Sequence, residues 1–149
     1  MIEMKSAAYS YGDELLSELN ISISQGSFYF LTGPSGSGKT TFLKMCYGSL
    51  VPTSGALTIF GKESSELTRD EMAYLRGKIG VVHQDCQFLD HLNVNDNIAL
   101  PIMVSGQNSL SDNVNLKELL NWVGLSHRSK ALPPELSGGE RQRAALARA

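Results

Sequence analysis

The sequence predicts an α/β fold with an antiparallel β portion at its N-terminal end and a helical subdomain further on, and three stretches carry the prediction. Leu19–Ser24 (LNISIS) alternates apolar and polar residues cleanly, as a strand with one buried face does. Ser27–Thr32 (SFYFLT) has no polar residue at its centre, which predicts a strand covered on both faces; it runs into a glycine-rich loop and then helical spacing. Strand, glycine loop and helix in that order open a parallel α/β unit. Ile79–His83 (IGVVH) is a second apolar, β-branched run of the same kind.

The remaining elements follow in chain order. Met1–Tyr11 alternates weakly, and Gln25-Gly26 turns the chain ahead of the apolar run. Lys39–Leu50 places Phe42, Leu43, Cys46, Tyr47 and Leu50 at helical spacing. Gly55–Gly61 reads as a short strand between turns, and Thr68–Lys78 as a charged amphipathic helix with Ser, Thr and Asp nearby to cap it. From Asp85 to Glu135 the pattern is helical and polar, a helical insertion with turn chemistry at Ser105-Gly106-Gln107-Asn108 and Pro133-Pro134. Ser137–Ala149 is an Ala- and Arg-rich helix.

Composition narrows the class. A chain of 149 residues, 42% hydrophobic and 19% charged, buries roughly 70% of its unfolded surface, enough for one core. A net charge of -2 argues against a nucleic-acid partner, whose binders are usually strongly basic. There is no run of the ~20 apolar residues a spanning helix needs, and no charged-then-apolar leader at the start. The expectation is a cytoplasmic protein that can still dock on a membrane protein. Cys46 and Cys86 form no CxxC pair and are expected to be reduced, half-buried thiols; His83, His91 and His127 have no zinc-ligand spacing.

Gly33-Pro34-Ser35-Gly36-Ser37-Gly38-Lys39-Thr40 fits the phosphate-loop pattern G-x-x-x-x-G-K-[ST] without departure, between an expected strand and an expected helix. The glycines permit backbone angles closed to other residues, so successive N–H groups can turn inward around phosphates. The following helix adds roughly +0.5 of an elementary charge at its N-terminus. Lys39 is placed to reach the β- and γ-phosphates and the Thr40 hydroxyl to ligate Mg²⁺; Thr41, next in line, belongs to the same nucleotide-binding run.

A second motif, Leu136-Ser137-Gly138-Gly139-Glu140, reads first as a capping box, with Ser137 as cap and Glu140 three residues on. Two glycines in a first helical turn cost roughly 1 kcal/mol each relative to Ala. A helix N-terminus stripped to bare amides and a hydroxyl is also a second anion site. The motif, followed by Arg141-Gln142-Arg143 and downstream of GPSGSGKT, resembles the signature of the ABC ATPases, and the resemblance covers the whole chain.

That resemblance implies two copies pairing head to tail, with Ser137, Gly138, Gly139 and Glu140 closing over the ATP held by the other copy. It places Gln84, after the apolar run Ile79–His83, beside Mg²⁺ and the attacking water, and gives Lys39 and Gln84 the catalytic roles. It asks for an adenine-stacking aromatic ahead of the first hairpin. Counting back from Gly26 favours Tyr9, with Tyr11 close enough to compete. The domain is then divided into a nucleotide-binding core over 1–84, a helical subdomain over 85–135, and the signature motif and helix over 136–149. The pattern Val94-x-Asp96-Asn97-x-Ala99-x-Pro101, with Gln84-Asp85 and Phe30–Met45, is similar to the cell-division branch of the family. Its ATPase serves an integral membrane permease from the cytoplasmic face, and Phe88, Leu89 and Leu92 are expected to line the groove that receives it. Lipoprotein-release and macrolide exporters are the alternative branch.

The sequence ends at Ala149, before the family's Walker B Asp and catalytic Glu. The expectation is therefore a piece of a longer ATPase, inactive by itself. Two further readings belong to other classes. One is a nucleotide-gated interaction module without turnover. The other is a DNA-repair ATPase, disfavoured because no heptads or Cys clusters separate the two motifs.

Overall fold

The structure, a computed structural model, describes residues 1–12, 14–104 and 110–149; the expected turn at Ser105-Gly106-Gln107-Asn108 lies outside them. The chain divides into two compact units, Met1–Ile79 and Gly80–Ala149.

The first unit holds β1 (Ile2–Ser10), β2 (Glu14–Ile23), α1 (Lys39–Cys46), β3 (Ser54–Ile59), β4 (Lys62–Glu63) and α2 (Arg69–Arg76). The sheet order is β2-β1-β3-β4, antiparallel throughout. Ile2 pairs with Ile23 and Ile59, and Met4 with Ile21 and Leu57, so one face is apolar across three strands. Phe42, Met45 and Cys46 of α1 pack with that face.

The weak alternation of β1 has a local cause. Ser6 (φ 44°) and Glu18 (φ 49°) are bulges on opposite strands, and the register shifts at each. Asn20 holds both, accepting from Ser6 N–H at 2.9 Å and donating to the Glu18 carbonyl at 3.0 Å. An extra residue reverses the face that follows it, so Ala7 and Tyr9, rather than Ser6 and Ala8, join Ile2 and Met4 on the core. Gly55 is required here, since a Cβ would meet the Ser6 carbonyl oxygen at 2.1 Å.

Helix α1 stops at Cys46 rather than Leu50 because Gly48 (φ 70°) turns left-handed, its N–H bonding the Met45 carbonyl. Helix α2 begins on a complete capping box between Thr68 and Glu71.

The second unit holds α3 (Val94–Val104), α4 (Leu110–Trp122), 3₁₀ turns at Ser126–Arg128 and Pro133–Glu135, and α5 (Gly138–Arg148). Val94, Ile98, Leu116, Leu120, Val123, Leu125, Leu136 and Ala144 form its core.

Ser27–Thr32 and Ile79–His83 are not strands. Neither has a ladder partner among the described residues, where every ladder is antiparallel. Phe28 and Phe30 are 81% and 83% exposed, meeting edge to face at 4.9 Å. Apolar, β-branched composition marks a segment able to enter a sheet, but cross-strand hydrogen bonds make the strand. The fold remains α/β, its sheet supplied by the N-terminal antiparallel strands. Cys46 and Cys86 are free thiols and more buried than expected; burial pushes the Cys46 thiol up to about 11.

Candidate functional site

In the first unit the loop before α1 is shaped by Gly33 (φ 153°), Gly36 (φ 81°) and Gly38 (φ 82°). A Cβ at Gly33 would stand 2.8 Å from Ser37 Oγ. The Lys39 ammonium folds back over the loop. It donates to the Gly33 carbonyl at 2.9 Å and the Pro34 carbonyl at 2.6 Å, and lies 3.4 Å from Ser37 Oγ. Gly38, the N-cap of α1, offers no side chain to the first-turn amides. Thr40 is exposed, whereas Thr41 is buried with Phe42. One ammonium, an uncapped helix N-terminus and an accessible hydroxyl suit a multiply charged anion and a cation carried with it.

The second motif forms a tight cap in the other unit. Glu140 Oε2 accepts from Ser137 N–H at 2.9 Å and from Ser137 Oγ–H at 2.7 Å. Glu140 N–H donates to Ser137 Oγ at 3.4 Å. Glu140 Oε1 accepts from Arg128 Nε–H at 3.1 Å, with His127 Nε2 at 3.8 Å. The Ser137 hydroxyl, then its backbone N–H, then Arg128 bring the Glu140 carboxyl down to about 2 from an ordinary 4.5. A depressed acid contributes stability that is whole above its unfolded value and lost as pH falls. The stabilisation from Glu140 is thus expected to disappear between pH 4.5 and about 2. Glu140→Gln should flatten that part of the acid limb in urea unfolding; an unchanged limb would mean Glu140 does not carry it.

Packing does not call for the two glycines. A Cβ at Gly138 would meet nothing within 4 Å, and at Gly139 only the Arg143 guanidinium at 3.7 Å. Their cost to the helix, roughly 1 kcal/mol each, leaves the first turn of α5 bare towards solvent.

Tyr9 is half-buried on β1, its ring edge to face with Tyr11 at 4.8 Å. Partial burial, then the neighbouring Tyr11, raises its hydroxyl. Tyr11 is 63% exposed. Gln84 is exposed in a turn of the second unit. Phe88 is half-buried, with Arg148 and Arg141 of α5 at 4.8 and 5.8 Å from its ring centroid, and Leu89 is exposed. Sequence reasoning missed Arg128, because no spacing rule links an arginine to a carboxylate twelve residues later.

The sequence matches the family described as ABC transporter over residues 16–149. It is 39% identical over 150 residues to the cell division ATP-binding protein FtsE of Bacillus subtilis, covering 99% of this chain and 66% of that protein. It is 41% identical over 148 residues to the lipoprotein-releasing system ATP-binding protein LolD 1 of Rhodopirellula baltica, covering 97% and 65%. The chain therefore spans just under two-thirds of the length of these relatives. Among solved structures, the ATP-binding cassette MJ0796, in a dimeric post-hydrolysis state bound to ADP and Pi, matches with a TM-score of 0.86 at 32% identity. That match covers 99% of this chain and 68% of that one.

Proposed function

This chain belongs to the ABC transporter ATPase family, and from that premise we propose that it is the nucleotide-binding part of an ATP-hydrolysing subunit of a membrane complex. The observation that carries the reading is the Lys39 ammonium folded onto the Gly33–Gly38 loop beside an uncapped helix N-terminus. There it holds two neutral carbonyls, weaker acceptors than anionic phosphate oxygens. In the proposed complex Lys39 turns to the β- and γ-phosphates, and the backbone N–H groups between Gly33 and Thr41, Pro34 having none, surround them. The Thr40 hydroxyl and the Gln84 carboxamide would hold Mg²⁺. The ion, when bound, neutralises charge on the transferring phosphoryl group. Gln84 also orients the attacking water, and Ser137, Gly138, Gly139 and Glu140 meet the ATP of a second copy paired head to tail.

Tyr9 is proposed to stack on adenine, with Tyr11 as its competitor. Tyr9→Ala is expected to weaken ATP binding by about 1–3 kcal/mol and inorganic triphosphate binding much less. Equal losses for the two ligands would make Tyr9 a core residue, as its packing against β1 neighbours allows, and move the stacking role to the more exposed Tyr11.

The specific system we propose is FtsE–FtsX, with the ATPase held on the cytoplasmic face of the membrane by an FtsX-type permease. The similarity to FtsE and the Val94-x-Asp96-Asn97-x-Ala99-x-Pro101 pattern support it. The similarity to LolD 1 favours a lipoprotein-release permease as the second reading. Isolating the tagged full-length protein from its own membranes, identifying the co-purified permease and measuring ATP turnover separates them. An FtsX-type permease and turnover are expected. A lipoprotein-release permease selects the second reading, and ATP binding without turnover would make the protein a nucleotide-gated module instead.

A further inference from the structure

We propose that Arg128 is a positioning residue for Ser137, holding Glu140 as a latch that keeps the serine proton until a phosphate oxygen of ATP draws it away. The proposal rests on the reading of the signature motif above and deepens it.

A serine hydroxyl has one proton to donate. That of Ser137 goes to Glu140 Oε2 at 2.7 Å, while its oxygen accepts from Glu140 N–H at 3.4 Å. In this arrangement the hydroxyl turns only lone-pair density outward, the wrong polarity for a phosphate oxygen. To bind an anion, Ser137 must withdraw its proton from Glu140. What remains to the carboxylate then decides how readily that happens. Oε2 keeps the Ser137 N–H at 2.9 Å. Oε1 keeps Arg128 Nε at 3.1 Å and His127 Nε2 at 3.8 Å.

Arg128 therefore acts twice in the same direction. By drawing charge towards Oε1 it weakens the hold of Oε2 on the serine proton. By neutralising Glu140 it removes the repulsion that a carboxylate, with its side chain only 13% exposed, would exert on an approaching polyphosphate. Several other charged groups of the neighbouring elements are engaged elsewhere. Arg143 donates to the Val123 carbonyl at 3.0 Å, Arg141 and Arg148 lie over Phe88, and Glu135 accepts from Leu132 N–H at 2.8 Å.

The test uses the full-length protein, ATPγS-driven pairing by sedimentation velocity, and MgATP affinity of the unpaired subunit. Arg128→Gln, which keeps length and loses charge, is expected to weaken pairing at least about tenfold while nucleotide affinity stays within about twofold. Arg128→Lys should stay within about threefold of the parent. Placing Arg128→Gln in a Glu140→Gln background should bring pairing back to within about threefold of Glu140→Gln alone, since no charge is left to neutralise. A role in packing alone would not be rescued in this way. Parent-level pairing by Arg128→Gln overturns the proposal, as does a loss that persists beside Glu140→Gln. If Arg128→Gln melts below the assay temperature, Arg128→Met, which also lacks the charge, takes its place in both backgrounds. A loss of pairing that disappears beside Glu140→Gln supports the latch, and parent-level pairing or a loss that persists overturns it. A parent protein that fails to bind MgATP removes the proposed function and this inference together.

Discussion

Lys39→Ala is expected to abolish tight MgATP binding, with a loss of about 3 kcal/mol or more, over a hundredfold in Kd. The size follows from what the ammonium does. Its donors are already gathered over the loop, at 2.9 Å from the Gly33 carbonyl, 2.6 Å from the Pro34 carbonyl and 3.4 Å from Ser37 Oγ. Little reorganisation is needed for it to meet a phosphate. Alanine removes the only point charge in the loop and leaves backbone amides facing several negative oxygens. The Gly38 cap and the glycine angles survive the change, so the fold should persist; circular dichroism would establish that before affinity is measured. Lys39→Arg is a useful companion, because it keeps the charge and changes its shape. Near-parent affinity of Lys39→Ala in a fluorescent-nucleotide assay would refute the phosphate-loop reading outright.

The features legible in the sequence are those decided within a few residues. Glycine and lysine spacing gave away the loop, because left-handed angles at Gly36 and Gly38 are costly for other residues. The Ser137–Glu140 cap was readable for the same reason, being closed across three residues. For α2 the sequence showed only that capping residue types lie nearby, and not the Thr68–Glu71 pair. The illegible features depend on neighbours distant in the chain. Ser27–Thr32 has strand composition, yet a strand exists only when another offers its ladder. The bulges at Ser6 and Glu18 blurred the alternation that would have announced β1. Arg128, twelve residues from Glu140, and Arg148, sixty residues from Phe88, meet their partners only through the packing of α5. Asn97 stood out as part of a pattern, but its work was hidden.

That work makes Asn97→Asp the other change of large expected effect, destabilising the second unit by about 3–5 kcal/mol near neutral pH. Asn97 on α3 has no exposed surface. Its Oδ1 accepts from Leu89 N–H at 2.9 Å. Its Nδ2 donates to the carbonyls of Leu89, Leu92 and Asn93 at 3.0, 2.9 and 3.1 Å, tying the segment before α3 to the helix. Aspartate has nearly the same shape, so packing is preserved while the donor is replaced by an oxygen facing three carbonyl oxygens. An ionised carboxylate there has no water and no cation, and the group gains by staying protonated. Its folded pKa is then raised above the unfolded value of about 3.9, so the variant keeps most of its stability below that pH and loses it as pH rises. Asn97→Leu leaves the same backbone groups unpaired but introduces no charge, so its penalty should not vary with pH. Urea unfolding at pH 4 and pH 7, followed by hydrogen exchange at the Leu89 amide, separates the two. If Asn97→Asp matches the parent at pH 7, backbone turns alone hold the Leu89–Asn93 segment and the side-chain clamp is dispensable.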